Sequence, residues 1–375
     1  MKTSLVILST LLFFLPSFSQ KEDIDRLLRN VKQAQSKIQT ASFVVHRTDT
    51  SIQDIIRFNT GNVIMERDNE DSIFGFRFKG KLDSMPFEIV YDGYVGYEAD
   101  TDKKTYLLFR KADDIKYLLY RSGGWLVIPE LLKIDTSGIK SMLLTQDARH
   151  YYLTFYYPDL KEYDVEARRK ILSIDKEMML PVAVRSHQET YGKVQDLYWK
   201  ITSIQVNQPL KYDFAALPFL NDYAQSQPSG TKPPVLKLKG TKAPDFTLEL
   251  LNGTKVAFSS LKEKVILLDF WEVWCGPCIV SMPKVQALYD KYKGKGLVVY
   301  GIVNDQRNIQ STKEFVKKRS INLPVLIGDE QFQKNYKFDG SVPLYLLINK
   351  KGEVSLVQFG FSDNIETLIR KELEM

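Results

Sequence analysis

The sequence predicts two domains: an antiparallel β-sheet with one packed helix, followed by an α/β domain built on a mixed sheet. Three observations carry this expectation. An amphipathic helix is followed by a long series of alternating strands that ends near residue 206. A polar, proline-rich break then interrupts the chain, and beyond it strands and helices alternate around a strand, turn and helix holding the only two cysteines of the 375 residues. The expected organisation is a leader over 1–19, the sheet domain over 20–223, a linker over 224–236 and the α/β domain over 237–375.

The leader combines Lys2, an apolar stretch over 5–15, Pro16 and a small-x-small ending, Ser17-Phe18-Ser19. It reads as a secretory signal cleaved before Gln20, with an uncleaved membrane anchor as the alternative. The stretch is shorter than the roughly 20 apolar residues a membrane span needs, and no cysteine follows it closely enough to carry a lipid. A soluble protein secreted across the inner membrane, most simply into a bacterial periplasm, is expected.

In the first domain Ile24, Leu27, Leu28, Val31, Ala34 and Ile38 recur with a period of about 3.6 and predict a helix over 21–38. Strands follow. Phe74, Phe76 and Phe78 alternate with Arg77, Lys79 and Lys81, Asp92-Gly93 marks a hairpin turn, and 151–157, 171–174, 181–186 and 197–206 continue the pattern. No nucleophile, metal cluster or phosphate loop stands out, and His46, His150 and His187 are scattered. The net charge of +6 is spread among interspersed acids and bases, without the basic arm that nucleic-acid binding would require.

The linker, Ala224 to Val235 at its core, is rich in Gln, Ser and Pro and reads as a semi-stiff connector. A hairpin over 246–258 turns at Asn252-Gly253. Next come a strand over 265–271, a helix over 278–293, a strand over 296–303, a helix over 309–319 and a short strand over 323–326. Strands over 342–348 and 353–359 and a helix over 363–374 close the domain, so parallel strands precede an antiparallel hairpin.

Cys275 and Cys278 stand where the strand passes into the helix. Unpaired N–H groups and the helix dipole favour a thiolate there, and a separation of three residues puts both sulfurs on one helix face. The pair therefore reads as a redox site that closes as a disulfide. Zinc would need about four ligands, and the histidines lie far upstream. Haem attachment would need a histidine where Ile279 stands, and a purely structural disulfide across so small a loop would stabilise the fold little. No cofactor or metal is expected beyond the redox-active disulfide.

The second domain resembles the thioredoxin-fold proteins of the secreted TlpA/ResA type. The resemblance rests on Ala243-Pro244-Asp245-Phe246 after Gly240, Phe270-Trp271 and Trp274-Cys275-Gly276-Pro277-Cys278, Pro283 and Val342-Pro343. It implies a thiol-disulfide oxidoreductase in which Cys275 attacks, Cys278 resolves and Pro343 is a cis-proline; without it, a trans bond would be the default. A cis bond would leave the Val342 backbone open to a substrate chain. Trp274 reads as a substrate contact, whereas Trp271 reads as core. Ser281 and Leu344 depart from the glutamate and threonine common in such proteins, which bears on partner choice.

Asp269 interrupts an apolar strand six residues before Cys275. Burial there would raise its pKa and make it the base for Cys278; the alternative is a solvated strand-end carboxylate. Glu272 reads either as a tuning group or as an exposed turn carboxylate. The first domain, by its helix, its Val90-Tyr91-Asp92-Gly93 turn and its hairpin around Ile174 to Pro181, is similar to lipoprotein carriers of the LolA type, which implies an apolar or acyl ligand in a cup; a filled core is the alternative. The expected activity is disulfide exchange with partner proteins, most simply as a reductant recharged by a membrane electron donor. A lipid or lipoprotein carrier with a redox appendage and a peroxiredoxin-like peroxidase are the alternatives.

Overall fold

The computed structural model describes residues 18–52, 54–226 and 233–374. The leader before residue 18 and the middle of the linker lie outside the described residues. Helix α1 (Phe18–Ser36) opens the described chain, somewhat before the expected start, and buries Ile24, Leu27 and Val31.

A sheet of twelve strands follows. Its first half comprises β1 (Thr40–Thr50), β2 (Ile56–Arg67), β3 (Phe76–Leu82), β4 (Phe87–Tyr91), β5 (Gly96–Asp100) and β6 (Thr105–Phe109). Its second comprises β7 (Ser141–Gln146), β8 (His150–Tyr156), β9 (Val165–Asp175), β10 (Pro181–Thr190) and β11 (Lys193–Val206), while the short β12 (Ala224–Gln225) pairs in parallel with β6 at the edge of the first half. The order β12-β6-β5-β4-β3-β2-β1-β11-β10-β9-β8-β7 joins the two meanders through the antiparallel pair of β1 and β11. The Asp92-Gly93 hairpin turn forms as expected, with the Asp92 carboxylate accepting the Tyr94 and Val95 N–H groups.

Between β6 and β7 lie α2 (Ala112–Lys116) and a run of 3₁₀ turns. Ile115, Leu118, Leu126 and Leu131 from this stretch are buried in the same cluster as α1 and the strands. The inner face of the sheet is thus filled by protein side chains. Gly61 and Gly80 admit this cover closely, since a Cβ on either would collide with Leu126 or the Gly123 backbone.

Both ends of the expected linker are part of the folded structure. Ala224 and Gln225 pair with β6, and Pro234–Leu238 forms a 3₁₀ turn whose Val235 and Leu238 are buried in the core of the second sheet. Their apolar side chains, not the local proline content, decide that packing.

The second sheet has the order β14-β13-β17-β16-β15-β18-β19. The hairpin strands β13 (Thr247–Leu250) and β14 (Lys255–Ala257) form one edge. Strands β15 (Val265–Phe270), β16 (Leu297–Val303) and β17 (Val325–Ile327) are parallel, and β18 (Leu344–Ile348) and β19 (Val354–Phe359) run antiparallel. Helices α3 (Gly276–Tyr292), α4 (Ile309–Lys318), α5 (Glu330–Asn335) and α6 (Asn364–Glu374) complete the domain. Every residue of β15 and β18 is buried, as central strands covered on both faces require. Among the described residues, no helix is long and apolar enough to cross a membrane.

One close approach depends on glycine: a Cβ at Gly301 in β16 would stand 2.7 Å from the Trp271 indole nitrogen. Gly301→Ala is expected to destabilise the protein by about 1–3 kcal/mol in urea melts. Gly294→Ala, where nothing lies within 4 Å, should leave the midpoint unchanged.

Candidate active site

Strand β15 carries the chain into the site. Val265, Leu267 and Trp271 belong to the core on the α3 side of the sheet, and Ile266, Leu268 and Phe270 to the core on the other. By this alternation Asp269 faces the α3 side, in the same layer as both cysteines.

A disulfide joins Cys275 and Cys278, whose Cα atoms are 5.2 Å apart. Cys275 caps α3: its Sγ accepts the Cys278 N–H at 3.2 Å, and its carbonyl accepts from Ile279. Pro277 occupies the first turn, where a missing N–H costs nothing, and the helix runs on past Pro283 to Tyr292. Cys275 is only 4% exposed and Cys278 is fully enclosed. The position at a helix start, expected from the sequence, places a donor and the dipole on the Cys275 sulfur.

Asp269 is 2% exposed, and its Oδ1 has no hydrogen-bond partner. Burial alone pushes its pKa up to about 8. It is therefore not a solvated strand-end carboxylate. Opposite it in the β15–β18 ladder stands Tyr345, whose hydroxyl lies 2.9 Å from Ser281 Oγ; Ser281 in turn donates to the Cys278 carbonyl at 3.0 Å. Burial and the nearby Asp269 carboxyl both raise the Tyr345 pKa. The departure at Ser281 thus becomes a polar link between the active-site helix and β18.

Glu272 is buried and is not an exposed turn carboxylate. Its Oε1 accepts the Asn304 and Asp305 N–H groups at 2.8 and 3.0 Å, and its Oε2 accepts from Asn308 Nδ2 at 3.4 Å. Burial nevertheless raises its pKa against those hydrogen bonds. This carboxyl ties the turn before Cys275 to the segment after β16.

Trp271 is fully buried, whereas Trp274 is 48% exposed. The Val342–Pro343 bond is cis. Leu344 pairs with Phe270, so Pro343 stands beside the end of β15, and Val342 precedes the β18 ladder and takes no part in it.

The first domain also reaches this site. Its 3₁₀ turn Lys161–Tyr163 packs on α3, and a Cβ at Gly276 would touch the Tyr163 ring at 3.4 Å. Asp164 pairs with Lys318 at 2.7 Å and Arg319 at 2.8 Å, and Arg319 also donates to the Lys161 and Glu162 carbonyls. Tyr191 meets Phe315 edge-on. These contacts join residues more than a hundred positions apart, and no motif marks them in the sequence.

Residues 239–357 match the AhpC/TSA family. A thiol-disulfide oxidoreductase ResA of Bacillus subtilis (strain 168) is 33% identical over 123 residues, covering 32% of this chain and 68% of that protein. The chain belongs to the ResA family of thiol-disulfide oxidoreductases. Another ResA, from Bacillus thuringiensis (strain Al Hakam), is 36% identical over 115 residues, 31% of this chain. The chain spans 66% of that relative's length. A solved thiol:disulfide interchange protein of the thioredoxin family from Chlorobium tepidum TLS is 23% identical over 36% of this chain and 97% of that one, with a TM-score of 0.33. The ResA-like part is the second domain, and its fold is that of thioredoxin.

The Asp269 carboxyl yields a stability test. Its pKa is about 8 folded against the ordinary 3.8, so the folded state holds a proton that the unfolded chain releases between these values. Stability from this group is full at low pH and falls as pH rises toward 8. Asp269→Asn should be indistinguishable from wild type near pH 4 and more stable near pH 8 in urea melts of the oxidised protein. A variant less stable at both pH values would contradict the assignment.

Proposed function

We propose that this chain is an exported thiol-disulfide oxidoreductase that reduces disulfides of partner proteins through Cys275 and Cys278. The observation that carries the reading is a disulfide-bonded cysteine pair at the start of α3 with a buried, high-pKa carboxyl in the same layer. In the reduced protein the Cys275 thiolate attacks a substrate sulfur, forming a mixed disulfide and expelling the other substrate sulfur as a thiolate. The Cys278 proton then passes to the ionised form of Asp269, whose share grows as pH rises toward its pKa of about 8. The Cys278 thiolate attacks Cys275 Sγ, the substrate thiol leaves, and the protein is left with the Cys275–Cys278 disulfide. Two electrons from a dithiol donor, which we place in the membrane, restore the reduced state.

Pro343 and Val342 would form one side of the substrate contact and Trp274 another, since all lie at the end of β15 or just beyond it. Glu272 would tune the site by holding the preceding turn to Asn304 and Asp305. The Gly-Pro dipeptide between the cysteines supports reduction over oxidation, because reducing thioredoxins carry the same pair.

The LolA-like reading of the first domain is supported by its helix followed by antiparallel strands. Ile115, Leu118, Leu126 and Leu131 occupy the inner face where an acyl chain would lie, which favours a role in positioning partners over carriage. A peroxidase reading gains no support from a site in which the second cysteine stands three residues after the first. Export is supported by the apolar stretch and small-residue ending of 1–19.

Cys278→Ser should trap mixed disulfides on Cys275 when the reduced protein meets a cysteine-containing peptide disulfide. Mass spectrometry identifies the adducts. Adducts that form through Cys278 on a Cys275→Ser protein, and none through Cys275, would reverse the assignment.

A further inference from the structure

The two domains enclose a cleft of about 440 Å³ beside the disulfide. Val273, Trp274, Gly276 and Ile279 form one wall, and Leu160, Tyr163, Gln188 and Gln195 stand on the other. Trp274 and Gly276 flank Cys275 in the chain, so the cleft opens onto the nucleophile's immediate neighbours. We propose that this cleft is the substrate site of the full chain and that it takes a disulfide-bonded cysteine flanked by uncharged residues on an extended, unfolded peptide segment in preference to a disulfide on a folded protein surface. The proposal rests on the redox reading above.

Four observations point to that occupant. The volume falls within the roughly 300–1,000 Å³ of sites that enclose a small ligand or a short piece of chain. A folded partner would need about 800 Å² of open surface on each side, and the Lys161–Tyr163 turn stands in its way. Next, none of the described residues lining the cleft is charged. An ion brought in would lose its hydration with no opposite charge to receive it.

The polar groups in the wall also match a peptide. Gln188 Nε2 donates to Gln195 Oε1, which leaves the Gln195 amide N–H₂ and the Gln188 carbonyl free for a passing C=O and N–H. Finally, the wall is fixed in place. Asp164, whose side chain is 9% exposed, bonds both Lys318 and Arg319, and Arg319 grips the carbonyls of the same turn. Several charge-assisted bonds converging on one turn add geometric specificity to its position.

The test uses the full, reduced chain. Its substrates are unstructured peptides carrying one cysteine as a mixed disulfide with β-mercaptoethanol, with the cysteine flanked by Ser, Lys or Glu. Insulin and bis(hydroxyethyl) disulfide complete the set. Wild type should show kcat/KM for the Ser-flanked peptide about tenfold or more above those for the Lys- and Glu-flanked peptides and for insulin, the scale expected of an unpaired charge near a partly buried site. Gln188→Glu should raise the ratio of Lys-flanked to Glu-flanked kcat/KM by about tenfold.

Tyr163→Ala removes part of the wall without adding charge and keeps the test open should Gln188→Glu not fold; it should raise the ratio of insulin to Ser-flanked peptide. Turnover of bis(hydroxyethyl) disulfide by wild type, with flank preference absent and both ratios unmoved, would overturn the cleft assignment and leave the redox reading standing. No turnover of that disulfide by reduced wild type would overturn the redox reading and this proposal with it.

Discussion

A strand buried on both faces ends at a turn that sets a reactive sulfur at the start of a helix. Strand β15 lies between β16 and β18, and all of its side chains are enclosed. At its end the chain turns into α3, so the sulfur of Cys275 meets the unpaired N–H groups of a helix start. The same burial that makes β15 a central strand strips water from Asp269 and raises its pKa. Position of the thiol and protonation of the carboxyl thus follow from one constraint. The other polar groups nearby serve it: Glu272 anchors the turn to the segment after β16, and Ser281 with Tyr345 anchors the helix to β18.

The parts of the fold legible in the sequence are those whose signals are local. The strands over 265–271 and 342–348 are continuous apolar runs between polar breaks, and they appear as β15 and β18 within a residue or two at their starts and ends. The α5 helix escapes because six residues make fewer than two turns; it forms because the Asp329 carboxylate accepts the Phe332 N–H at its start. The 3₁₀ run between β6 and β7 has no single period to detect, although its leucines fill the sheet's inner face. Strands β9 to β11 run longer than their apolar centres suggest, because their ends expose polar residues on one side.

The site divides along the same line. Cys275, Cys278 and Asp269 lie within ten residues, and their chemistry is readable there. The environment of Glu272 is not, because the N–H groups that hold it come from 32 and 33 residues further on. Tyr163 and Asp164 are further still, and their meeting with Gly276, Lys318 and Arg319 depends on how two sheets dock. A domain that reads as a separate sheet therefore supplies one side of the redox site.

The proposed role of the dithiol as a reductant is tested most directly by the reduction potential of the Cys275–Cys278 pair. Equilibration of the full chain with defined thiol-disulfide buffers, read by mass spectrometry after alkylation, gives the value. A potential near that of thioredoxin, about −270 mV, is predicted; one near that of a strong oxidant such as DsbA, about −120 mV, would contradict the account.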